Sequence, residues 1–94
     1  MKTFSIGPND GALFDEYVRN NSAFVKFYNP GCYFCNKMAP AWKELENIVN
    51  DESFDTHNFL VIEVHSDALK DIKSECGKHI QGYPTLIEVK EGGI

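Results

Sequence analysis

The sequence predicts one layered α/β domain whose central strands run parallel, and three observations carry that expectation. Apolar runs suited to strands alternate with amphipathic stretches at helical spacing, in the order β-α-β-α-β-α-β, and strands joined through helices pair in parallel. Two of the runs, residues 23–28 and 59–64, are almost continuously apolar, as strands buried on both faces must be. The 94 residues hold no internal repeat, low-complexity tract or linker-like stretch, so residues 1–94 form a single small domain.

Taken in order, residues 4–6 are a short apolar start read as the first strand. Gly7-Pro8-Asn9-Asp10 is a turn, with Asn9 or Asp10 placed to cap a helix. Leu13, Phe14, Tyr17 and Val18 recur at helical spacing and give that helix one buried stripe, and Asn20 and Asn21 end it. Residues 23–28 form the second strand, which Asn29-Pro30-Gly31 breaks. A second helix follows, with Met38, Trp42, Leu45 and Ile48 as its apolar stripe. Pro40 lies inside it, where it removes one backbone hydrogen bond and should bend the axis. Residues 50–58 are polar enough for a loop, with Phe54 turned inward. The third strand is residues 59–64. Ser66 or Asp67 then caps a third helix with Leu69, Ile72 and Cys76 as its stripe and Gly77 as its stop. Gly82-Tyr83-Pro84 turns the chain into a last strand, residues 85–90.

Composition narrows the function classes. Hydrophobic residues at 43% and charged residues at 24% are ordinary for a folded domain. Nine basic and 14 acidic side chains give a net charge of −5 with no basic cluster, which argues against nucleic acid as a partner. No stretch approaches the ~20 apolar residues that cross a bilayer, so no membrane partner is expected. The start, MKTFSIGPND, lacks the apolar run of a secretory signal. A cytoplasmic location is therefore expected, with a secretory origin left open if a signal has been removed.

Three cysteines are too few for a disulfide framework, but Cys32 and Cys35 have the spacing of a redox or metal pair. A thiolate attacks disulfides where a thiol hardly does, so a redox pair needs one cysteine with a stabilised charge. Cys32 follows a strand and a turn and precedes an amphipathic helix, which sets it at the helix N-terminus among free N–H groups. The helix dipole is worth roughly 0.3–1 kcal/mol there, up to ~2 if partly buried. At ~1.36 kcal/mol per pKa unit, it lowers the Cys32 pKa by about one unit. Cys35, one turn along and more shielded, is the resolving thiol. Zinc is the competing reading, because Cys76 and His79 could complete a Cys₃His set. Its weakness is that zinc knuckles lie on tight turns and these pairs lie at helix ends. The redox reading needs no cofactor, since the electrons reside in the cysteine couple. No metal is assigned.

The segment FVKFYNPGCYFCNKMAPAW resembles the active-site segment of protein disulfide isomerase domains, which read F-Y-A-P-W-C-G-H-C-K before a helix with M/L-A-P and a Trp. IQGYPTLIEVKEGG resembles the second hallmark of the thioredoxin superfamily, G-Y/F-P-T-L before a strand. The resemblance spans about residues 3 to 93. It implies a thioredoxin-like fold, a central mixed sheet flanked by helices, and thiol–disulfide exchange with protein or peptide substrates. It makes Cys32 the attacking thiol and Cys35 the resolving one. By the same resemblance Pro84 matches the family's cis-proline opposite the cysteines, and Tyr83 takes the backbone that pairs with substrate as an added strand. A reductase or oxidant partner is required but not identified. Such domains continue past the Gly-Gly turn with an antiparallel strand and a final helix. The sequence here stops at Ile94, so both are expected to be absent, leaving residues 85–90 as an open edge that favours a homodimer or contact with another protein; the alternative is a fragment whose longer parent supplies the missing elements.

Three positions depart from the family. Gly31 stands where a Trp is usual. Tyr33 and Phe34 fill the space between the cysteines in place of Gly-His or Gly-Pro, with no His to steady the thiolate; the two aromatics instead offer a substrate-facing apolar patch. Lys26 occupies the place of a buried acid, and Glu63 the place of that acid's lysine partner. The two charges look exchanged, with Glu63 expected to take over the acid's proton relay. The plainer alternative is that Lys26 snorkels to solvent and Glu63 lies on the surface. A binding or chaperone module with little turnover is the functional rival, favoured somewhat by the missing tryptophan and the altered filling between the cysteines. Cys76 reads as a small buried apolar residue. His57, His65 and His79 are scattered, which leaves hydrolase chemistry without support.

Overall fold

The computed structural model describes residues 3–51 and 59–94. Strand β1 (Thr3–Ile6) leads to helix α1 (Gly11–Arg19), β2 (Ser22–Tyr28), helix α2 (Tyr33–Val49), β3 (Phe59–His65) and finally β4 (Thr85–Val89). The four strands form one sheet in the order β1-β3-β2-β4. β1 and β2 both run parallel to β3, while β4 is antiparallel to β2, which makes the sheet mixed. The expected loop position of Phe54 lies outside the described residues.

Alternation along the strands sorts the side chains between two faces. Ile6, Ala23, Val25, Phe27, Ile62, Val64 and Val89 turn to the face covered by α1, where Phe14 and Val18 meet them in the main core. Each large side chain buried there contributes about 1.5–3 kcal/mol. Phe24 and Val61 turn to the opposite face, where α2 lays Trp42 and Val49 over them. The helix that begins at the cysteines is thus held to the sheet by a small second core.

Several expected details differ. In α1, Phe14 and Val18 are buried and Tyr17 packs against the core with its ring stacked on Phe4, but Leu13 is exposed. Asp10 occupies the N-cap position without capping; its carboxylate accepts instead from the Gly7 N–H. In α2 the buried residue is Val49 and Ile48 is exposed, because a 3.6-residue period carries the stripe from Leu45 to the fourth residue on. α2 runs on through Pro40 as one helix, since a proline forfeits a single N–H donor there.

The third helix is not one helix. It is two short 3-10 segments, Ser66–Asp71 and Glu75–His79, separated by an extended Ile72. The carboxylate of Asp15 intercepts the chain at the break, accepting from the N–H groups of Lys73 at 2.8 Å and Ser74 at 3.0 Å and from the Ser74 hydroxyl. Those N–H groups would otherwise point back to carbonyls of a continuing helix. The first segment is capped by His65, not by Ser66 or Asp67: its Nδ1 accepts from the Asp67 N–H at 3.0 Å. Gly11 lets α1 approach this segment, since a Cβ there would lie within 3 Å of the Ala68 carbonyl and of Asp71. At the other end Gly92 and Gly93 take positive φ, and their turn docks back through Gly92 N–H to Val18 O and Cys76 N–H to Gly93 O.

Among the described residues β4 is an edge strand, paired only with β2. Its apolar residues do not all face outward, as the expectation of an open apolar edge required. Val89 is fully buried and Ile87 packs against the core, leaving Leu86 exposed beside Glu88.

Candidate active site

β2 ends at Tyr28, and the next four residues form a tight turn that hands the chain to α2. The Asn29 carbonyl accepts the Cys32 N–H at 3.0 Å, and the Asn29 side-chain oxygen accepts the Gly31 N–H at 2.9 Å. Asn36 closes the turn from the helix side by donating to the Pro30 carbonyl at 3.2 Å. Cys32 then occupies the N-cap of α2 with extended backbone angles, and its sulfur accepts the Cys35 N–H at 3.2 Å. This is the place and bond of a Ser or Asp cap, filled by a sulfur.

The two thiols are driven apart in acidity. The hydrogen bond from the Cys35 thiol holds Cys32 below the ordinary cysteine range, helped by the N–H groups of Cys35 and Phe34. Burial pushes Cys35 up, and the hydrogen bond it gives Cys32 pushes further, while the Asn29 N–H and the Lys26 ammonium oppose. Cys32 is partly exposed, Cys35 is buried, and neither is in a disulfide. The arrangement offers one accessible thiolate and one shielded thiol that shares its proton.

Across from the pair, the Tyr83 carbonyl lies 3.4 Å from the Cys32 sulfur. The Tyr83–Pro84 peptide is cis. Tyr33 and Phe34 are 68% and 66% exposed, packed edge to face at 5.2 Å between centroids, and neither folds back into the domain. Lys37 reaches over the Tyr33 ring.

Lys26 does not snorkel. It is 4% exposed, and its Nζ lies 3.4 Å from a carboxylate oxygen of Glu63, its direct neighbour across the β2–β3 ladder. The other Glu63 oxygen accepts from the Ser5 hydroxyl at 2.8 Å. The Trp42 ring covers the ammonium with its centroid 4.7 Å away. An isolated buried ammonium would cost several kcal/mol; the carboxylate and the indole face offset that cost.

Cys76 and His79 do not join the cysteine pair. Among the described residues no three His, Cys, Asp or Glu side chains come together as a metal-binding set. His79 turns to Glu75 at 3.3 Å, and burial pushes the Cys76 thiol up to about 11, with the Asp15 carboxylate adding to the rise. The residue missed by sequence reasoning is Asn29, read there only as a strand breaker. An Asn one residue before Pro-Gly is a signal for a side chain that bonds its own turn, and it was available.

With this geometry in view, the Thioredoxin family model matches residues 6–94. The chain belongs to the thioredoxin family. A thioredoxin domain-containing protein 5 homolog of Drosophila melanogaster is 31% identical over 80 residues, 84% of this chain and 18% of its own length. A protein disulfide-isomerase of Datisca glomerata is 29% identical over 93 residues, 98% of this chain and again 18% of its own. Among solved structures, the first two thioredoxin domains of Saccharomyces cerevisiae Eps1p superpose with a TM-score of 0.69 at 26% identity, covering 87% of this chain and 30% of that one. This thioredoxin domain thus spans about a fifth of the length of those curated relatives. No helix among its described residues is long and apolar enough to cross a membrane.

Proposed function

We propose that the domain is a thiol–disulfide oxidoreductase that exchanges disulfides with protein substrates through Cys32 and Cys35. The observation that carries this reading is the cap: a partly exposed sulfur at the N-terminus of α2, holding the Cys35 N–H at 3.2 Å, beside a buried thiol. The Cys32 thiolate attacks a substrate disulfide, forming a mixed disulfide and releasing one substrate thiolate. Cys35, on losing its proton, attacks the Cys32 sulfur; the second substrate thiolate leaves and a Cys32–Cys35 disulfide remains. Two electrons have passed to the substrate, and the reverse sequence oxidises a substrate dithiol. A dithiol or disulfide partner must reset the couple. Tyr33 and Phe34 offer the substrate an apolar contact, and Tyr83 and Pro84 the facing wall.

Insulin reduction in the presence of dithiothreitol tests the reading. The wild-type domain should accelerate it and Cys32→Ser should not; equal rates for the two would leave the binding-module alternative. For self-association, β4 supplies an open edge and Leu86, 41% exposed, an apolar contact on it. A homodimer through this strand should appear in sedimentation at several concentrations, and a clean monomer throughout would dismiss it.

A further inference from the structure

We propose that Asn29 is a positioning residue for Cys32: its side-chain amide, oriented by Ser66, fixes the turn that keeps the Cys32 sulfur in the cap of α2. The inference rests on the reading of Cys32 as the attacking thiol. Pro30 and Gly31 are exposed, so little packing shapes the turn that carries the cysteine. Gly31 brings no side chain to restrain it and has the freest backbone of any residue. Hydrogen bonds hold the turn instead. The Asn29 carbonyl accepts the Cys32 N–H at 3.0 Å, the Asn29 side-chain oxygen accepts the Gly31 N–H at 2.9 Å, and Asn36 donates to the Pro30 carbonyl at 3.2 Å. These three bonds stay within the turn and its own helix. A fourth, from the Asn29 amide nitrogen to the Ser66 hydroxyl at 3.2 Å, crosses to the chain that leaves β3.

The sheet supplies the anchor. Tyr28 and His65 are the last pair of the β2–β3 ladder, with their rings edge to face at 5.6 Å, and Asn29 and Ser66 each follow by one residue. His65 also fixes the chain beyond it, since its Nδ1 accepts the Asp67 N–H at 3.0 Å. Ser66 is therefore placed by the parallel strands and not by the turn. An amide that donates to Ser66 turns its oxygen to Gly31; reversed, its NH₂ would meet the Gly31 N–H, donor against donor. With the turn closed, the Cys32 sulfur accepts the Cys35 N–H at 3.2 Å and lies 3.4 Å from the Tyr83 carbonyl. A hydrogen bond to an ionised acceptor is roughly twice as strong as one to a neutral acceptor, so the capping N–H favours the thiolate, the form that attacks disulfides. A turn free to open carries the sulfur away from that N–H and weakens the nucleophile.

The test is the pH profile of Cys32 alkylation by iodoacetamide, read by mass spectrometry on the reduced wild-type, Asn29→Ala, Asn29→Ser and Ser66→Ala domains. Asn29→Ala should move the midpoint of the profile upward. Below the wild-type midpoint its rate should fall about threefold to tenfold, the scale of a hydrogen bond to a charged sulfur that is partly lost. Ser66→Ala should move the midpoint the same way by less. Asn29→Ser should recover part of the shift, because a hydroxyl closes the same turn more weakly. Loss of stability alone would instead expose Cys35 and Cys76 and speed their labelling, with the Cys32 midpoint unmoved; that result overturns the proposal. A wild-type domain in which Cys32 is not labelled ahead of Cys35 overturns the reading of Cys32 as the attacking thiol. Preferential Cys32 labelling with one midpoint shared by wild type and Asn29→Ala overturns this proposal alone. If Asn29→Ala fails to fold, Ser66→Ala decides, and an unchanged midpoint overturns it.

Discussion

The Asn29 side-chain amide donates to the Ser66 hydroxyl at 3.2 Å, tying the turn before Cys32 to the segment that follows β3. The same side chain holds the Gly31 N–H, and the Asn29 backbone N–H faces Cys35. One residue therefore bridges the turn before Cys32, the Cys35 thiol and a neighbouring strand end.

Asn29→Ala removes two side-chain hydrogen bonds and should cost about 1–2 kcal/mol. Ser66→Ala removes one of the two and should cost less. Because the pair shares that bond, the double variant should be hardly worse than Asn29→Ala, a coupling of about 0.5–1 kcal/mol. Urea unfolding of the three variants measures it, and strictly additive losses would show that the two residues do not act together.

Cys32 should be alkylated first. Its partial exposure and lowered pKa give it thiolate below the ordinary cysteine midpoint of ~8.5, while Cys35 and Cys76 are buried and shifted upward. Timed iodoacetamide treatment of the reduced domain, read by mass spectrometry from pH 6 upward in steps of about one unit, should show Cys32 labelled well ahead of both. Preferential labelling of Cys35 would exchange the assigned roles.

What the sequence made legible was whatever depended on short-range pattern. Continuous apolar runs marked β2 and β3, the Pro-Gly break marked the turn, and Cys32 fell at the cap because it stands just before the first periodic turn of α2. The Lys26–Glu63 pairing was legible too, since a charge in a buried strand needs an opposite neighbour. Long-range chemistry was not. The break at Ile72 is imposed by Asp15, 58 residues from Lys73 in the chain, and no local propensity announces it. Ile48 and Val49 are equally apolar, so only the accumulated phase of the helix decides which is buried. An open edge at residues 85–90 does not by itself say which side chains it shows; strand alternation sends Ile87 and Val89 inward and Leu86 outward.

Cys76 should make the reduced domain sensitive to alkali. Its thiol is held at about 11 in the folded state, against ~8.5 in an unfolded chain. Below the lower value both states are protonated and nothing is lost. As pH climbs between the two, the unfolded chain ionises and the folded one does not, so stability falls. Cys76→Ala should cost about 1 kcal/mol at neutral pH yet decline less steeply over that window. Denaturant midpoints measured across it under reducing conditions check this; parallel curves for the two proteins would mean the thiol ionises freely in the fold.

Trp42 should be the residue on which the placement of α2 depends most. It is the largest buried side chain on the face of the helix that meets the sheet, stacked on Phe24 at 5.7 Å and supported only by Val49, Val61 and partly buried neighbours. Trp42→Ala opens a cavity in this small core and uncovers the Lys26 ammonium, and should cost about 3–5 kcal/mol. Against a total of about 5–15 kcal/mol for a domain, that loss is a large share of the stability and should lower the denaturant midpoint markedly. Trp42→Phe keeps an aromatic face over Lys26 and removes an indole N–H that has no hydrogen-bond partner, so it should cost much less. Circular dichroism of urea titrations separates the two. Equal, small losses for both substitutions would show that α2 is held by its cysteine turn and not by the core beneath Trp42.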